Sequence, residues 1–377
     1  MMYYKLIIIA LLLSISISYI YIINKYTIGW RNLKTIKSKN ENKNIYSFSI
    51  IIAFRNEANN ISTLLNSLMQ IEYPIDLFEI ILINDDSTDN SNEIVKEFIS
   101  NNNKNWKLLQ SSEGKKSAIK KGIYNSNFEY IFTTDADCIL PKNILKSYDQ
   151  ELQQKKWKLI SGPVSFLSNN SFLGRIFELE FMSLISSGAG AIGINKPIML
   201  NAANLVFKRK IALEASDAIY ESKIASGDDI FLLHYIIKQY GNKDITFLKN
   251  KDAIIQTESP KTLNQWLSQR LRWASKAKYY KINNTSISAF IILLFNIAHL
   301  FTFALFLLDN SWVYYIDLLL IKLMIDFPIL YSASKFFDKK ISLPAFLTIE
   351  LLYPFYIVGI GISGFFMKSS WKGRKIN

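Results

Sequence analysis

The sequence contains a single cysteine, Cys138, among 377 residues. One thiol excludes an internal disulfide framework and any zinc site built from several cysteines, so packing alone must hold the fold together. No internal repeat is visible. Half of the residues are hydrophobic, which is enough for one large α/β domain together with several membrane helices.

Charge is missing from two long stretches, Leu6–Ile23 and Ile287–Leu308, although 20% of the chain is charged. The mean hydropathy of +0.12 is therefore the average of apolar blocks and charged segments. Two further apolar tracts, Trp312–Ser334 and Leu343–Phe366, carry three charges and one charge. Each tract is long enough to span a bilayer, so the sequence predicts one N-terminal and three C-terminal membrane segments.

The net charge of +13 comes from lysines and arginines that cluster beside the apolar tracts. This placement favours contact with anionic membrane lipids and argues against nucleic acid as a partner. Lys25, Arg31 and Lys34 follow the first tract and predict a cytoplasmic location for the region downstream. The alternative is a cleaved signal peptide, whose apolar core would be shorter and followed by small residues.

These features predict five regions: an N-terminal transmembrane anchor 1–24, a basic linker 25–45, a catalytic domain 46–284, C-terminal membrane segments 285–367 and a basic tail 368–377.

Three full C-terminal crossings would put the basic tail outside, against the positive-inside rule. Pro354 and nearby glycines interrupt the last tract, so we expect it to be broken or re-entrant. Lys322 and Asp326 are four residues apart and can pair on one helix face.

Apolar runs and helical stretches alternate at the start of the predicted catalytic domain: Ser47–Phe54, a helix over 59–69, Phe78–Asn84, a helix over 90–100 and Trp106–Gln110. Alternation of this kind predicts parallel βαβ units. The strand-like runs are continuously apolar, as in strands covered by helices on both faces. The expected fold class is α/β with a Rossmann-like, mostly parallel open sheet, whose ligands bind beyond the carboxyl ends of the strands.

Acidic and amide side chains follow the first two strands, in Phe54–Glu57 and Asp85–Asp89. They could hydrogen-bond a base and a ribose, or they could form a turn and cap the next helix. A third apolar run leads into Asp135 and Asp137. This pair has the oxygen ligands that Mg²⁺ or Mn²⁺ prefer when the ion bridges protein carboxylates and substrate phosphates, although an Asp-x-Asp alone is common.

Two further motifs lie on predicted helices. Asp228 and Asp229 stand at a helix N-terminus, where one could act as a general base and where capping is the alternative. A later helix carries Gln269, Arg272 and Trp273 just before a membrane tract. Arg272 offers a planar fork for a diphosphate and Trp273 a stacking face, while an interfacial membrane role is the alternative.

Taken together and in this order, these motifs resemble the family 2 glycosyltransferases with a GT-A fold, over roughly residues 46–280. The resemblance implies that the first two strand ends, Phe54–Glu57 and Asp85–Asp89, contact the nucleotide. It places Asp86 at the base, Glu57 at the base or ribose, and Lys115 near the nucleotide or its diphosphate. For Lys115 a solvated charge run is the alternative.

The resemblance assigns the remaining residues as well. Asp137 coordinates the metal and Asp135 helps place the ribose or sugar. Asp228-Asp229 stands where the family has Glu-Asp, with Asp229 as the base. The Gln-x-x-Arg-Trp signature of membrane-linked members, here Gln269, Arg272 and Trp273, closes over the donor diphosphate and acceptor, and Asn204 is a candidate acceptor contact.

The expected function is inverting transfer from a nucleotide-sugar, a UDP-sugar, to a lipid or lipid-linked glycan, with Mg²⁺ or Mn²⁺ as cofactor. The expected location is the plasma (inner) membrane with a cytoplasmic catalytic domain. A processive polysaccharide synthase is the alternative within the family. A catalytically silent membrane scaffold is disfavoured because Asp135, Asp137 and Asp229 are all retained, and a nucleotidyltransferase would not need the Gln-x-x-Arg-Trp motif.

Overall fold

The computed structural model describes residues 2–35, 45–102, 105–216, 228–275, 283–309, 312–366, 370–371 and 374–375. The chain forms two compact units. The sheet unit comprises Leu33–Leu167, Met199–Glu258 and Ser370–Asn377. The helical unit comprises Met1–Asn32, Ser168–Ile198 and Ser259–Ser369. The helical unit therefore takes a segment out of the middle of the predicted catalytic domain 46–284.

The elements are numbered here in chain order. The helices are α1 (Met2–Asn32), α2 (Ile61–Met69), α3 (Ser91–Asn102), α4 (Lys115–Tyr124), α5 (Ile144–Gln154), α6 (Phe172–Gly193), α7 (Arg209–Glu214), α8 (Asp228–Tyr240), α9 (Leu263–Ala274), α10 (Asn283–Asp309), α11 (Trp312–Phe337) and α12 (Leu343–Phe366). The strands are β1 (Phe48–Phe54), β2 (Phe78–Asp85), β3 (Trp106–Ser111), β4 (Tyr130–Thr133), β5 (Cys138–Ile139), β6 (Leu159–Ser161), β7 (Val164–Phe166), β8 (Leu205–Lys208), β9 (Ile245–Phe247), β10 (Ile255–Thr257), β11 (Ser370–Trp371) and β12 (Arg374–Lys375).

Within the described residues, one sheet has seven strands in the order β3-β2-β1-β4-β8-β6-β9. The pairs β1–β2, β2–β3, β1–β4 and β6–β9 are parallel, while β8 is antiparallel to both of its neighbours. Every residue of β1 and β2 is buried. The continuous apolar runs thus form central strands covered on both faces, which confirms the predicted mostly parallel α/β sheet.

The strand order reverses beside β1. The chain leaves β1 for β2 and β3 on one side and then returns to place β4 on the other side, where Phe48 pairs with Tyr130 and Ile51 with Thr133. At such a reversal the connections leave in opposite directions and open a crevice beyond the carboxyl ends of the two strands. The residues that follow β1 and β4 are therefore the ones that line this crevice.

In the helical unit, α1 and α6 pack with their backbones in contact. A Cβ atom added to Gly29 would lie 2.0 Å from the carbonyl oxygen of Gly190, and one added to Gly193 would lie 2.2 Å from that of Gly29. Small residues at such a crossing let helices approach closely, as in membrane proteins. Among the described residues, four helices are long and apolar enough to cross a membrane: Leu6–Asn32, Phe172–Gly193, Asn284–Leu308 and Leu343–Gly364.

The observed helices differ from the predicted segments in four ways. Helix α1 continues to Asn32, beyond the predicted start of the linker at residue 25. Helix α6 was not predicted as a long apolar segment, and 67% of its apolar window is buried against 17% for α1, so α6 forms an internal helix. The expected break in the last tract is wrong, because α12 is continuous with Pro354 inside it. The tract at Trp312–Ser334 is helical, but its helix α11 is not among the four described helices that are long and apolar enough to cross a membrane.

Candidate functional site

The ends of β1 and β2 are fixed to each other by Arg55. Its Nη1 donates to the backbone carbonyls of Asp85 and Asp86, at 2.7 Å each, and lies 3.4 Å from the Asp86 carboxylate. Asn56 and Asp86 both have left-handed backbone conformations, with φ of 52° and 56°, which Asn and Asp tolerate better than most residues. The Asp86 side chain stays 59% exposed, so it is available to a ligand.

Hydrogen bonds at the two loops after β1 and β2 show which of their residues form a turn or the start of the next helix. The backbone N–H of Ala58 donates to the Asp89 carboxylate at 3.0 Å, and that of Ser91 donates to it at 3.1 Å. The backbone N–H of Glu57 donates to the Ser91 hydroxyl at 2.7 Å. Asp89 is thus a structural residue of the loop and of the start of α3.

A buried aspartate, Asp85, positions the start of the helix that carries Lys115. From the sequence, Asp85 was considered only as part of the strand-end motif Asp85–Asp89. The Asp85 carboxylate, which is fully buried, accepts a hydrogen bond from the Gly114 N–H at 2.9 Å. Gly114 has φ of 100°, a conformation that favours glycine. Helix α4 begins directly afterwards, and the Lys115 ammonium pairs with the Asp135 carboxylate. Lys115 is therefore part of the acidic site.

Asp135 and Asp137 follow β4, and the strand order brings them to the end of β1. Burial, together with the negative charges of Asp135 and Glu57, raises the pKa of Asp137 to about 6, and Lys115 offsets part of this effect. Three carboxylates from two adjacent strand ends therefore share one electrostatic environment with one lysine. Like charges held this close destabilise one another in the absence of a cation.

The carboxylates fit a divalent cation that is completed by substrate. Within the described residues, no group of three or more His, Cys, Asp or Glu side chains converges as a closed metal cage. Mg²⁺ and Mn²⁺ do not require one, because such ions are commonly held by one or two carboxylates, water and substrate phosphates. Asp137 and Asp135 can supply oxygen ligands, and a bound cation would offset the repulsion between their negative charges.

The Asp228-Asp229 pair begins helix α8. The side chain of Asp228 lies outside the described part of the structure. Asp229 is half-buried within the first turn of α8, and its Oδ1 accepts from the N–H of the next residue, Ile230, at 2.9 Å. The Lys116 ammonium lies 5.1 Å from the centroid of the Phe231 ring, so the first turn of α8 packs against α4, the helix that carries Lys115.

The Gln-x-x-Arg-Trp signature lies on α9 in the helical unit. Thr262 caps this helix by accepting from the Gln265 N–H at 3.2 Å. Gln269, Arg272 and Trp273 are all half-buried.

Two residues predicted to contact substrate are buried in the sheet unit. Asn204 is fully buried, and its carboxamide accepts from the Tyr148 hydroxyl at 2.6 Å and donates to the carbonyls of Pro163 and Ala253 at 2.8 and 2.9 Å. These hydrogen bonds give the Asn204 side chain a structural role inside the sheet unit. Phe54 is 1% exposed at the end of β1, and its ring therefore packs in the core.

Comparison with known proteins agrees with this arrangement. A family model described as "Glycosyl transferase family 2" matches residues 49–160, and one described as "Glycosyl transferase family group 2" matches residues 130–355. A poly-beta-1,6-N-acetyl-D-glucosamine synthase of Staphylococcus epidermidis is 29% identical over 248 residues, which are 63% of this chain and 56% of that protein. The synthase of Staphylococcus aureus strain MSSA476 is 27% identical, over 60% of this chain and 53% of that protein.

The chain thus spans about half the length of the curated relatives it matches. A solved mannosyltransferase from Pyrobaculum calidifontis, in complex with GDP-Man and Mn²⁺, has the same fold, with a TM-score of 0.53, 15% identity, and coverage of 94% of this chain and 99% of that one. The second family model covers more than half of the chain and includes the Asp-x-Asp and Gln-x-x-Arg-Trp motifs. The chain therefore belongs to the family 2 glycosyltransferases and has their GT-A fold.

Proposed function

We propose that this protein transfers a sugar from a UDP-sugar to an acceptor at the membrane, with inversion at the anomeric carbon. The observation that carries the proposal is the meeting of Glu57, Asp135, Asp137 and Lys115 at the reversal of strand order. A partly exposed cluster with excess negative charge and one lysine is suited to a divalent cation and a diphosphate.

The donor would lie along the ends of β1, β2 and β4. Asp86, exposed beside Arg55, would accept from a ring N–H of the base, and Glu57 would bind the ribose or base. Lys115 would bind the diphosphate, while Asp135 places the ribose or sugar. Mg²⁺ or Mn²⁺ held by Asp137, when bound, would neutralise negative charge on the departing diphosphate.

The transfer itself would be a displacement in which one bond forms as another breaks. Asp229 takes the proton from an acceptor hydroxyl, with Asp228 beside it. The acceptor oxygen bonds to the anomeric carbon as the bond from that carbon to the diphosphate oxygen breaks. Arg272 and Gln269 would bind the departing diphosphate and Trp273 would stack on donor or acceptor, so catalysis would consist mainly of positioning and charge stabilisation.

The acceptor proposed here is a lipid or lipid-linked glycan, because the signature helix α9 belongs to the same compact unit as the apolar helices. We place the protein in the plasma membrane with the catalytic domain on the cytoplasmic side. A processive polysaccharide synthase is the second candidate, since the relatives are named as poly-beta-1,6-N-acetyl-D-glucosamine synthases. For the same reason UDP-N-acetylglucosamine is the first donor to test.

The test is donor hydrolysis by the purified full-length protein in detergent, with a panel of UDP-, GDP- and dTDP-sugars and either Mn²⁺ or Mg²⁺. Slow hydrolysis needs no known acceptor. We expect metal-dependent release of UDP from one sugar donor. Release of no nucleotide from any donor, by protein that is folded, would contradict the proposal. Electrophoresis of radiolabelled product would then separate single transfer from polymer, because long chains made by the protein alone would favour the synthase.

A further inference from the structure

A buried ion pair holds the signature helix inside the helical unit. The Arg270 Nε donates to both carboxylate oxygens of Glu180 on α6, at 2.9 and 3.1 Å, and its Nη2 donates to the same carboxylate. Each residue is only 3% exposed. The fork of a guanidinium suits such a paired contact, and the pair fixes both the distance and the rotation of α9 about its axis.

Aromatic rings enclose this pair on two sides. The Trp266 ring stacks on Phe177 of α6, with centroids 5.1 Å apart, and on Tyr356 of α12, with centroids 4.4 Å apart. The Tyr356 hydroxyl donates to Glu180 Oε1 at 3.1 Å. Three helices therefore converge on one carboxylate, and a shell of this kind holds a side chain in a single conformation.

The same guanidinium reaches both ends of the Gln-x-x-Arg-Trp signature. Arg270 Nη1 donates to the side-chain oxygen of Gln269 at 2.5 Å. The central carbon of the guanidinium lies 4.3 Å from the centroid of the Trp273 ring, within the range of a cation–π interaction. The first and last residues of the signature are thus oriented by a residue that is itself held by Glu180.

We propose that Glu180 and Arg270 are positioning residues that set the side-chain orientations of Gln269 and Trp273 for the glycosyl transfer proposed above. Stability alone is a weak reason for such a pair, because removing two charges from water costs about as much as their attraction returns, and apolar residues of similar size often serve as well. Contact with two signature side chains gives this pair a second role. The inference rests on the proposed function only for its kinetic part.

The experiment compares Glu180→Gln and Arg270→Lys with Glu350→Gln in the full-length protein. Glu350 belongs to another buried ion pair of the same unit, where it accepts from Lys322 at 2.5 Å. In the described part of the chain, no hydrogen bond joins Glu350 to Gln269, Arg272 or Trp273. Glu350→Gln therefore reports the loss of a buried charge by itself. Donor hydrolysis gives kcat and KM, and thermal unfolding gives the folded fraction by which kcat is corrected. Near-ultraviolet circular dichroism gives the Trp273 signal, identified as the part that Trp273→Phe removes.

We expect Glu180→Gln to lower kcat by about 10- to 100-fold with little change in donor KM, because misplacement of binding groups by about 1 Å has effects of this size. It should also remove the Trp273 signal. Arg270→Lys should retain part of the kcat and part of the Trp273 signal, because lysine keeps the positive charge but lacks the planar guanidinium. Glu350→Gln should keep the signal and lower corrected kcat by less than about twofold.

Equal effects of Glu180→Gln and Glu350→Gln on corrected kcat would overturn the positioning role. Survival of the Trp273 signal in Glu180→Gln would overturn it as well. The second measurement needs no turnover, so it decides the role of Glu180 and Arg270 even if the wild-type protein hydrolyses no donor, which would count against the proposed function alone.

Discussion

Each of the two units contains a cluster of carboxylates around a single lysine, and the two clusters differ in exposure. In the sheet unit, Asp135 and Asp137 meet Lys115, whose side chain is 25% exposed, while that of Asp135 is 35% exposed. Glu57 adds a further negative charge. The excess negative charge is open to a ligand, and a bound cation would relieve its repulsion.

In the helical unit, Lys322 lies between Asp326 and Glu350, at 2.5 Å from each, which confirms the predicted pairing of Lys322 with Asp326. The side chains of Lys322 and Glu350 are 1% and 5% exposed. The Tyr19 hydroxyl donates to Asp326 at 2.8 Å, and the Lys322 ammonium lies 4.3 Å from the Tyr353 ring centroid. These charges are satisfied by the protein itself.

The comparison shows that residue type does not distinguish a binding site from a structural ion pair. Both clusters place carboxylates around one lysine, but only the one at the carboxyl ends of β1 and β4 keeps polar atoms exposed for a ligand. The closed cluster joins α1, α11 and α12, and breaking it should affect stability. The open cluster should affect activity.

The largest expected effect is on stability. Lys322→Met leaves two carboxylates buried without their cation, which should lower the free energy of unfolding by about 3–5 kcal/mol. Unfolding of the detergent-solubilised protein, followed by circular dichroism, measures this change. The triple variant Lys322→Met, Asp326→Asn, Glu350→Gln should regain most of it, because no unpaired charge remains. A single Lys322→Met variant as stable as wild type would show that the closed cluster is not structural.

The second prediction concerns the open cluster. Asp137→Ala should lower metal-dependent donor hydrolysis by a factor on the order of 10²–10³, because electrostatic stabilisation of the leaving group is lost. Its melting temperature should not fall. Asp76→Ala, which changes an exposed aspartate of the same unit, is the matched control and should retain wild-type activity. Retention of activity by Asp137→Ala would remove Asp137 from the proposed mechanism.

The third prediction separates packing from acceptor binding at Asn204. Asn204→Ala leaves the buried Tyr148 hydroxyl and two buried carbonyls without their partner, which should cost about 1–3 kcal/mol of stability. Acceptor KM should be unchanged once an acceptor is known. The opposite result, a raised acceptor KM with unchanged stability, would restore Asn204 as an acceptor contact.

The smallest expected effect is a pH dependence of stability in metal-free protein. Because the pKa of Asp137 is raised from its ordinary value of 3.8 to about 6 in the folded state, the folded protein binds a proton between about pH 4 and 6 that the unfolded chain has released. Its contribution to stability is therefore complete below about pH 4 and is lost as the pH rises through about 6.

Asp137→Asn removes this titration. Without metal it should be more stable than wild type at pH 7.5, by about 1 kcal/mol after allowance for solvent screening, and equally stable at pH 4. Denaturant unfolding in the presence of EDTA at both pH values measures the difference. If Asp137→Asn is more stable than wild type by the same free energy at both pH values, ionisation of Asp137 is not the cause of the difference.

Local pattern predicted much of the sheet unit. The run Ser47–Phe54 became β1 at Phe48–Phe54, and Phe78–Asn84 became β2 at Phe78–Asp85. These predictions succeeded because a continuous apolar run is buried on both faces of a central parallel strand. Helix α6 was missed because its glycines, serines and scattered charges weaken the apolar signal, and its burial depends on contact with other helices.

The family motifs, the strand ends that carry acidic residues and the apolar tracts could be predicted because each is encoded within a short stretch of neighbouring residues. Which of these residues meet depends on how distant parts of the chain pack. Strand order brought the end of β1 to that of β4, so that Glu57 shares a site with Asp137.

Helix packing paired Arg270 with Glu180 and closed the cluster around Lys322. In the sheet unit, Tyr148, Pro163 and Ala253 hold the buried side chain of Asn204, which the resemblance had placed at an acceptor. Partners of this kind are far apart in the chain, and the free energy that selects them comes from burial and charge pairing in the folded state. Local sequence patterns therefore cannot predict these partners.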